Sequence, residues 1–412
     1  MLYKQAISFL NSFTKSGKPV TDLSRFKALM TQLGDPQNRV KYIHIAGTNG
    51  KGSVSEYAAL ALEYCGFKTG KFTSPYINKV EERIQLNGQP ISEDNFALYL
   101  TGVKNAAEKT GCSDYSQFEI LNAAAFLYYA EKNCDYGVLE AGIGGLLDCT
   151  NIVHPVLSVI TTVDLDHCQL LGDTAEKIAA HKAGIIKENT PSVTAPFQRE
   201  GVLKVLSDKA AETGSALVIP DNGDISIIGT SLDGTDFSYK GKLFHTKMCG
   251  RHQAINGTAA IEALRILNVD ESVIERALKN AAVPARTERI GGWLIDGAHN
   301  PSGAAAAADL LKSADHCTKA LVVGMLASKD WQSSLKLLVP CFDHVIAADF
   351  FSPSAVPKEE LADFVKALGK PCITAHSPQD AVHSADRLGD DLKAVCGSLY
   401  LCGEMRRELL SL

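Results

Sequence analysis

Short apolar runs alternate with stretches of helical spacing along most of the chain. The runs predict buried strands, and apolar residues at intervals of three and four between them predict amphipathic helices. This alternation is typical of doubly wound α/β sheets. The predicted strands are 41–46, 136–140, 156–163, 217–219, 292–296, 320–324, 344–348, 371–374 and 398–402. The clearest predicted helices are 54–65, 118–132, 174–187, 254–266 and 303–312.

Two interruptions of this pattern indicate how the chain is organised. The segment 221–247 is rich in Gly, Asp, Ser and Thr around short β-prone runs, which predicts antiparallel hairpins. A helical pattern ends in the segment 282–285, at a proline, before a new series of strands and helices begins. We therefore predict two doubly wound α/β domains, residues 1–283 and a smaller domain of residues 284–412.

The most informative segment runs from Tyr42 to Ser53, where an apolar strand ends in three glycines, a lysine and a serine ahead of a helix. Backbone N–H groups at a helix N-terminus, with the point charge of Lys51, form a site for phosphate groups. The spacing differs from the usual G-x-x-x-x-G-K-[ST] loop, since Gly52 stands between Lys51 and Ser53. A flexible glycine turn with a chance lysine is the competing interpretation. We predict that this loop binds the phosphates of a nucleotide.

Candidate ligands for a divalent cation lie where predicted strands end. The strand 136–140 ends at Glu140, and the strand 156–163 leads into Asp166 and His167. Ligands of open α/β sheets gather at the carboxyl ends of strands, and Mg²⁺ prefers hard oxygen ligands. A solvated strand-end charge and a structural histidine are the alternative interpretations.

A second polar loop follows the predicted strand 292–296. It contains Asp296 and His299 ahead of a helix, which suits contact with a base, a ribose or a phosphate but identifies no reaction by itself. Lys182 lies on a predicted helix, where a surface lysine is the ordinary interpretation.

Composition narrows the class of function. A hydrophobic content of 45% is ordinary for a globular protein with a sizeable core. The net charge of −6, without a long run of one sign, argues against nucleic-acid and membrane-surface partners. No apolar run approaches the ~18 residues of a membrane span, and the first residues lack a signal-peptide core. The eleven cysteines include no C-x-x-C pair. We expect a cytoplasmic monomer with free thiols.

These segments resemble, in order along the chain, the motifs of the folylpolyglutamate synthase and dihydrofolate synthase branch of the Mur ligases. The loop at 44–53 resembles the phosphate loop of that family, which carries the glycine found here as Gly52. The other matching segments are 72–75, 82–84, 118–121, 140–151, 165–167, 182–185, 251–253, 296–301 and 397–401. The resemblance implies an N-terminal P-loop-type ATPase domain and a Rossmann-like C-terminal ligase domain.

The resemblance also implies a reaction. The family uses ATP to join L-glutamate to a reduced folate such as tetrahydrofolate, through an acyl phosphate. Whether this chain also converts dihydropteroate to dihydrofolate is left open by the residues.

Roles for individual residues follow from the resemblance. The catalytic residues would be Lys51, Lys182 and His299. ATP would be bound by Thr48, Asn49, Gly50, Lys51, Gly52, Ser53, Asn256, Arg286 and Asp296. Mg²⁺, with two sites expected, would be held by Ser53, Ser74, Glu140, His167 and a carbamylated Lys182. The folate would contact Phe118. An unmodified Lys182 that neutralises the acyl phosphate is the alternative for that position.

The chain departs from the family pattern at several positions. Leu146 replaces the arginine of G-G-R-L-D, His181 replaces the glutamate before the carbamate lysine, and the segment 352–355 replaces Pro-Arg-Ala. These departures motivate a second hypothesis, a nucleotide-binding regulator without catalysis. A third hypothesis is a cell-wall Mur ligase. It is disfavoured because the phosphate loop of those enzymes has no glycine corresponding to Gly52. They also carry a UDP-binding domain before that loop, and the loop here begins about 45 residues into the chain, which leaves no room for one.

Overall fold

The computed structural model describes residues 1–14, 21–312 and 317–411. The strands are β1 (Lys41–Ala46), β2 (Thr69–Phe72), β3 (Ile84–Leu86), β4 (Gln89–Pro90), β5 (Tyr136–Glu140), β6 (Leu157–Ile160), β7 (Ser192–Thr194), β8 (Leu217–Val218), β9 (Ile225–Ser231), β10 (Gly234–Tyr239), β11 (Lys242–Thr246), β12 (Glu288–Ile290), β13 (Trp293–Ile295), β14 (Lys319–Val323), β15 (His344–Ala348), β16 (Cys372–Ala375) and β17 (Leu392–Cys396).

The α-helices are α1 (Tyr3–Asn11), α2 (Ser24–Gln32), α3 (Lys51–Tyr64), α4 (Glu93–Thr110), α5 (Gln117–Glu131), α6 (Cys168–Leu171), α7 (Ala175–Ala183), α8 (Glu200–Thr213), α9 (Arg251–Ile266), α10 (Glu271–Asn280), α11 (Pro301–Lys312), α12 (Trp331–Leu338), α13 (Lys358–Ala367), α14 (Pro378–Leu388) and α15 (Leu399–Ser411). Short 3₁₀ helices lie at Pro36–Asn38, Val80–Arg83, Cys149–Ile152, Asn222–Asp224 and Val339–Cys341. None of the helices in the described ranges combines the length and the apolar composition that crossing a bilayer requires.

The first sheet has eight strands in the order β4-β3-β2-β5-β1-β6-β7-β8. Its strands from β2 to β8 pair in parallel, and β3 and β4 add an antiparallel edge. Apolar side chains from α4 and α5 cover one face, and those from α3, α9 and α10 cover the other. The neighbours β5, β1 and β6 therefore end side by side, which places Glu140, the loop after Ala46 and the residues after Ile160 at one edge.

The predicted hairpins at 221–247 are confirmed. Strands β9, β10 and β11 form a separate three-stranded antiparallel sheet. Its buried rings Phe237 and Tyr239 join the core that includes Ile261 of α9 and Leu278 of α10. This packing fixes α9, the helix that carries Asn256.

The C-terminal sheet has six strands in the order β12-β13-β17-β14-β15-β16, and all neighbours except β12 pair in parallel. The doubly wound α/β class is thus confirmed for both parts of the chain. The predicted strand 398–402 is wrong, because the strand is Leu392–Cys396 and helix α15 follows it. The buried residues Leu401, Cys402, Met405 and Leu409 follow helical spacing, and a short apolar run cannot distinguish the two structures by itself.

Helix α15 rests on the loop that follows β2. A Cβ atom on Gly403 would lie only 2.2 Å from the carbonyl oxygen of Ile77, so the helix backbone and the loop touch directly. With its amide oriented to satisfy both groups, Asn78 donates to the Gly403 carbonyl at 2.7 Å and accepts from Arg406 at 3.2 Å. Arg406 also pairs with Glu288 at 2.9 Å. The C-terminal part is therefore seated on the loop that carries Ser74.

Candidate active site

The phosphate loop is held by the strand beside it. The Thr48 N–H donates to the Thr162 carbonyl at 2.8 Å, and the Thr161 hydroxyl donates to the Asn49 carbonyl at 2.7 Å. Gly50 adopts a left-handed conformation (φ 91°) just before α3 begins at Lys51. This conformation costs a residue with a Cβ atom more than it costs glycine, and it turns the chain into the helix. The loop therefore presents the N-terminus of α3 at the carboxyl edge of the sheet.

Two ammonium groups converge on one carbonyl oxygen of this loop. The Lys182 Nζ donates to the Gly47 carbonyl at 2.7 Å, and the Lys51 Nζ donates to the same oxygen at 3.1 Å. Burial, together with the nearby charge of Lys51, lowers the pKa of Lys182 to about 7. A large fraction of the Lys182 amine is therefore neutral near pH 7, and only the neutral amine is nucleophilic.

Glu140 ends β5 as a buried carboxylate. Its Oε2 accepts a hydrogen bond from the Ser74 N–H at 3.1 Å, and among the described residues Oε1 has no donor. Burial raises its pKa, against the opposing charges of Lys51, Arg286 and Arg83. A Cβ atom on Gly52 would lie 3.8 Å from Oε2, so a larger side chain there would grow toward the carboxylate. The absence of a side chain at position 52 leaves space between the phosphate loop and Glu140.

Asp166 and His167 follow β6. The His167 Nε2 lies 3.8 Å from an Asp166 carboxylate oxygen, and Lys329 of the C-terminal part lies 3.8 Å from the other. Burial lowers the pKa of His167, with the neighbouring lysines acting in the same direction and Asp166 against them. His167 is therefore mainly neutral at physiological pH, which is the form that ligates metal.

The described ranges contain no cluster of three or more His, Cys, Asp or Glu residues suited to a metal ion. The predicted metal set instead combines Glu140 and His167 with hydroxyl groups and a lysine. A buried carboxylate with unused acceptor capacity and a neutral imidazole, which follow the strands on either side of β1, fit a hard cation. Of the hydroxyl ligands, Ser53 is buried in the first turn of α3, and Ser74 lies on the loop that donates to Glu140.

The C-terminal sheet contributes Asp296 and His299. The Asp296 carboxylate accepts from the N–H groups of Thr287 and Ala298, each at 2.9 Å. Burial raises its pKa, and Arg286 opposes the rise. The His299 Nδ1 lies 2.8 Å from the Gly297 carbonyl, which assigns the ring proton to Nδ1, and burial lowers the pKa of His299 to about 4. His299 is therefore a neutral ring with Nε2 as an acceptor.

Asn256 and Phe118 complete the predicted set. A Cβ atom on Gly50 would lie 2.2 Å from the Asn256 Oδ1, so α9 touches the phosphate loop. The Phe118 ring lies 5.4 Å from that of Phe72, and a Cβ atom on Gly142 would come within 2.8 Å of it. Phe118 therefore borders the turn that follows Glu140. The C-terminal groups lie near this edge as well, since Lys329 contacts Asp166, Arg286 acts to lower the pKa of Glu140 and His299 acts to lower that of Asp166.

The chain also matches known proteins along nearly its whole length. Residues 45–264 match the Mur ligase middle domain, and residues 280–409 match the C-terminal domain of dihydrofolate synthetase. A dihydrofolate synthase/folylpolyglutamate synthase of Bacillus subtilis is 33% identical over 430 residues, which cover 99% of each chain. The chain belongs to the folylpolyglutamate synthase and dihydrofolate synthase family.

Solved structures of family members share the fold. The folylpolyglutamate synthase of Thermotoga maritima is 34% identical, with a TM-score of 0.88 over 99% of this chain and 97% of that one. The Mycobacterium tuberculosis enzyme, solved with ADP and AMPPCP, is 28% identical with a TM-score of 0.88, covering 99% of this chain and 98% of that chain. The two-domain Mur ligase architecture predicted from the sequence is therefore confirmed.

Two departures from the family pattern touch each other. The Leu146 N–H donates to the His181 carbonyl at 2.7 Å, directly before Lys182. A third departure, the segment 352–355, pairs with the loop that leads to Lys329, where the Ala327 N–H donates to the Ser354 carbonyl at 2.9 Å. The changes therefore border the candidate site without removing its phosphate, carboxylate or histidine groups.

Three groups of residues near this site had no role predicted from the sequence. Thr161 and Thr162 hold the phosphate loop, and their position directly after an apolar strand was the available signal. Lys329 reaches Asp166 from the other part of the chain, and no local pattern predicts such a contact. Arg83, in a matched motif, is partly buried and forms no ion pair with a described residue.

Proposed function

We propose that this family member is an ATP-dependent amide ligase that adds L-glutamate to reduced folates through an acyl phosphate. The observation that carries the proposal is the convergence of the phosphate loop, Glu140 and the low-pKa Lys182 at one sheet edge. A loop for phosphate groups beside acidic and neutral ligands suits transfer of a phosphoryl group. The family assignment supplies the substrate class.

The reaction needs two steps, because a carboxylate is a poor electrophile. A folate carboxylate oxygen attacks the γ-phosphorus of ATP and ADP leaves. The glutamate amine then attacks the acyl phosphate, loses a proton and expels phosphate. Lys51 and the loop N–H groups would stabilise the phosphate charge, and the neutral His299 would accept a hydrogen bond from the glutamate ammonium through Nε2.

The residues present fit Mg²⁺. Ser53, Ser74, Glu140 and His167 would hold it, and Lys182 would join them as a carbamate. Bound there, the ion would offset the charge of the ATP phosphates. The low pKa of the Lys182 amine supports the carbamate, since carbon dioxide reacts with neutral amines. Two metal sites, like the named ATP and folate contacts, are part of the proposal.

A second activity, the ligation of glutamate to dihydropteroate, is also proposed. The name of the Bacillus subtilis relative joins dihydrofolate synthase with folylpolyglutamate synthase. The monomeric state, the cytoplasmic location, the absence of nucleic-acid and membrane partners and the boundary between residues 283 and 284 stay predictions.

Phosphate release tests the proposal directly. Purified protein is mixed with ATP, Mg²⁺, L-glutamate and either tetrahydrofolate or dihydropteroate, and the folate product is identified by mass spectrometry. We expect release that depends on both the folate and glutamate, and its loss in Lys51→Ala and His167→Ala variants. Lys279→Ala, on the exposed end of α10, is the control. Folate-independent hydrolysis would indicate a different enzyme, and no turnover would favour the non-catalytic regulator.

A further inference from the structure

The Arg83 side chain is partly buried and forms no ion pair with the residues that the structure describes. Its Nε is inaccessible to solvent and has no hydrogen-bond partner, and none of the described ion pairs includes this residue. The acids beside it in sequence are engaged elsewhere. The Tyr3 hydroxyl donates a hydrogen bond to the Glu81 carboxylate. The Glu82 carboxylate accepts hydrogen bonds from the N–H groups of residues 77–79 at 2.8 to 3.2 Å. Arg83 thus follows two glutamates and pairs with neither.

Aromatic rings line the guanidinium. Its Cζ atom lies 5.5 Å from the centre of the Tyr76 ring and 5.8 Å from that of Phe118. Such rings orient a cation but do not supply a counter-charge. Burial lowers the pKa of Arg83, and Tyr76, Glu140 and Tyr400 act to raise it. The guanidinium therefore lies beside the Phe118 ring and within the electrostatic influence of Glu140.

Arg83 is partly buried, and a guanidinium that is partly removed from water and has no hydrogen-bonded anion can readily bind an anionic ligand. Resting on the proposed function, we propose that Arg83 binds the terminal carboxylate of the folate, the group that receives the phosphoryl group. The position suits this carboxylate, because Phe118 is the proposed folate contact and Glu140 the proposed metal ligand. A planar guanidinium matches a carboxylate with two parallel hydrogen bonds.

One hydrogen bond of this contact is kept through both steps of the reaction. One carboxylate oxygen attacks the γ-phosphorus and becomes the bridging oxygen of the acyl phosphate, as ADP leaves. The other oxygen stays on Arg83 as the carbonyl oxygen. When the glutamate amine attacks the carbonyl carbon, the electron pair moves onto this oxygen, and it returns as phosphate departs and the nitrogen loses a proton. Arg83 would stabilise that oxyanion.

A ligand without the carboxylate provides the test. Binding of dihydropteroate, and of the same pterin–aniline lacking its carboxyl group, is measured by fluorescence quenching for the wild type, Arg83→Gln and Arg83→Lys. We expect Arg83→Gln to bind dihydropteroate at least about tenfold more weakly, the range for a hydrogen-bonded charge. Binding of the decarboxylated compound is expected to stay unchanged. Arg83→Lys keeps the positive charge but lacks the planar pair of donors. Its affinity for dihydropteroate is expected to lie between those of the wild type and Arg83→Gln.

Kinetics and stability separate the alternatives. We expect the KM for the folate to rise with the KM for ATP unchanged, and the melting temperature of ligand-free Arg83→Gln to be no lower than that of the wild type. Arg387→Gln, an exposed arginine in the last turn of α14, is the matched control. Equal weakening of both pterin ligands would overturn the inference in favour of a structural role. A rise in KM for glutamate alone would overturn it in favour of the incoming amino acid. A wild type without folate-dependent turnover would instead overturn the proposed function, and the binding comparison would still test Arg83.

Discussion

The Lys182 ammonium nitrogen lies 2.7 Å from the carbonyl oxygen of Gly47, the residue at which β1 becomes the phosphate loop. Because Lys51 donates to the same oxygen, the two lysines repel each other whenever Lys182 is protonated, which helps to lower the pKa of Lys182. Conversion of Lys182 to a carbamate would replace this repulsion with attraction. The contact also ties α7 to the phosphate loop, so we expect a change at Lys182 to alter ATP binding.

Replacement of this amine tests the carbamate. Lys182→Ala is expected to lower turnover by about a hundredfold or more, the scale of losing one electrostatic stabiliser. Added formate is expected to restore part of the activity of Lys182→Ala and none of that of Lys51→Ala, because it supplies a carboxylate only where one is missing. In the wild type, ¹³C-bicarbonate is expected to give a carbamate signal by NMR. Absence of that signal in active enzyme would support the unmodified lysine.

The pKa of Lys182 also predicts a pH dependence. Protein depleted of bicarbonate is expected to regain activity faster as the pH rises through about 7, since the neutral amine is the reactive form. The measurement is the reactivation rate at fixed carbon dioxide concentration. A rate that stays constant across this pH range would contradict the assignment.

The contact between Gly50 and Asn256 predicts a steric effect. Gly50→Ala places a Cβ atom 2.2 Å from the Asn256 Oδ1 at a φ of 91°. Gly66→Ala has nearly the same backbone conformation, φ 86°, with nothing within 4 Å of its Cβ atom. Both changes are expected to cost about 1 kcal/mol of folding stability from backbone strain. Only Gly50→Ala is expected to raise the KM for ATP. The expected rise is about tenfold, the effect of losing one hydrogen-bonded contact. Equal KM values for ATP in the two variants would show that ATP binding does not depend on the close contact between Gly50 and Asn256.

The ion pair between Asp166 and Lys329 joins the two parts of the chain. Lys329→Met is expected to lower kcat/KM by about threefold to tenfold, since a partly exposed pair contributes about 1 kcal/mol. The difference from wild type is expected to shrink as salt is raised, because mobile ions screen the attraction. Lys336→Met, on the exposed face of α12, is the control. A difference that does not change with salt would assign Lys329 a role other than attraction to Asp166.

Glu63 on α3 predicts a pH effect on stability away from the site. Burial raises the pKa of this carboxyl to about 7, with Glu56 adding to the rise and Lys71 opposing it. A raised pKa means that the folded state binds the proton more tightly than the unfolded state does. Stability from Glu63 is therefore fully present below pH 4.5 and is lost as the pH rises to about 7. The melting temperature of wild type minus that of Glu63→Gln is expected to fall across this interval. A melting-temperature difference that does not change with pH would contradict the raised pKa of Glu63. Glu212→Gln, on the surface of α8, is the control.

Much of the site could be predicted because parallel strands place their ends together. Glu140, His167 and Asp296 each follow an apolar run, so the sequence alone indicated their edge of the sheet. The prediction of a strand at 398–402 was wrong because its apolar residues fit both the strand and the helix spacing. The sheet position is occupied by the strand Leu392–Cys396, so the following residues form a helix. Local pattern cannot rank such alternatives when tertiary packing chooses between them.

Arg83 illustrates a different limit. In sequence it follows two acids, and a mixed-charge run is typical of a solvated surface. Its environment depends on the partners that the side chains of those two acids bind. It also depends on the rings of Tyr76 and of Phe118 in α5, which pack beside the guanidinium. Partial burial of a side chain is a property of the folded molecule, so only the structure shows that no described residue forms an ion pair with Arg83.

The direct contact of Gly403 with the Ile77 carbonyl has a consequence for recombination between relatives. A chimera that joins the N-terminal part of one family member to the C-terminal part of another preserves both sheets but mixes the two sides of this contact. Any side chain at position 403 would collide with backbone, which cannot rotate away as a side chain can. Compatible parents are therefore those with glycine at this position and a matching path through residues 77–79, whatever their overall identity.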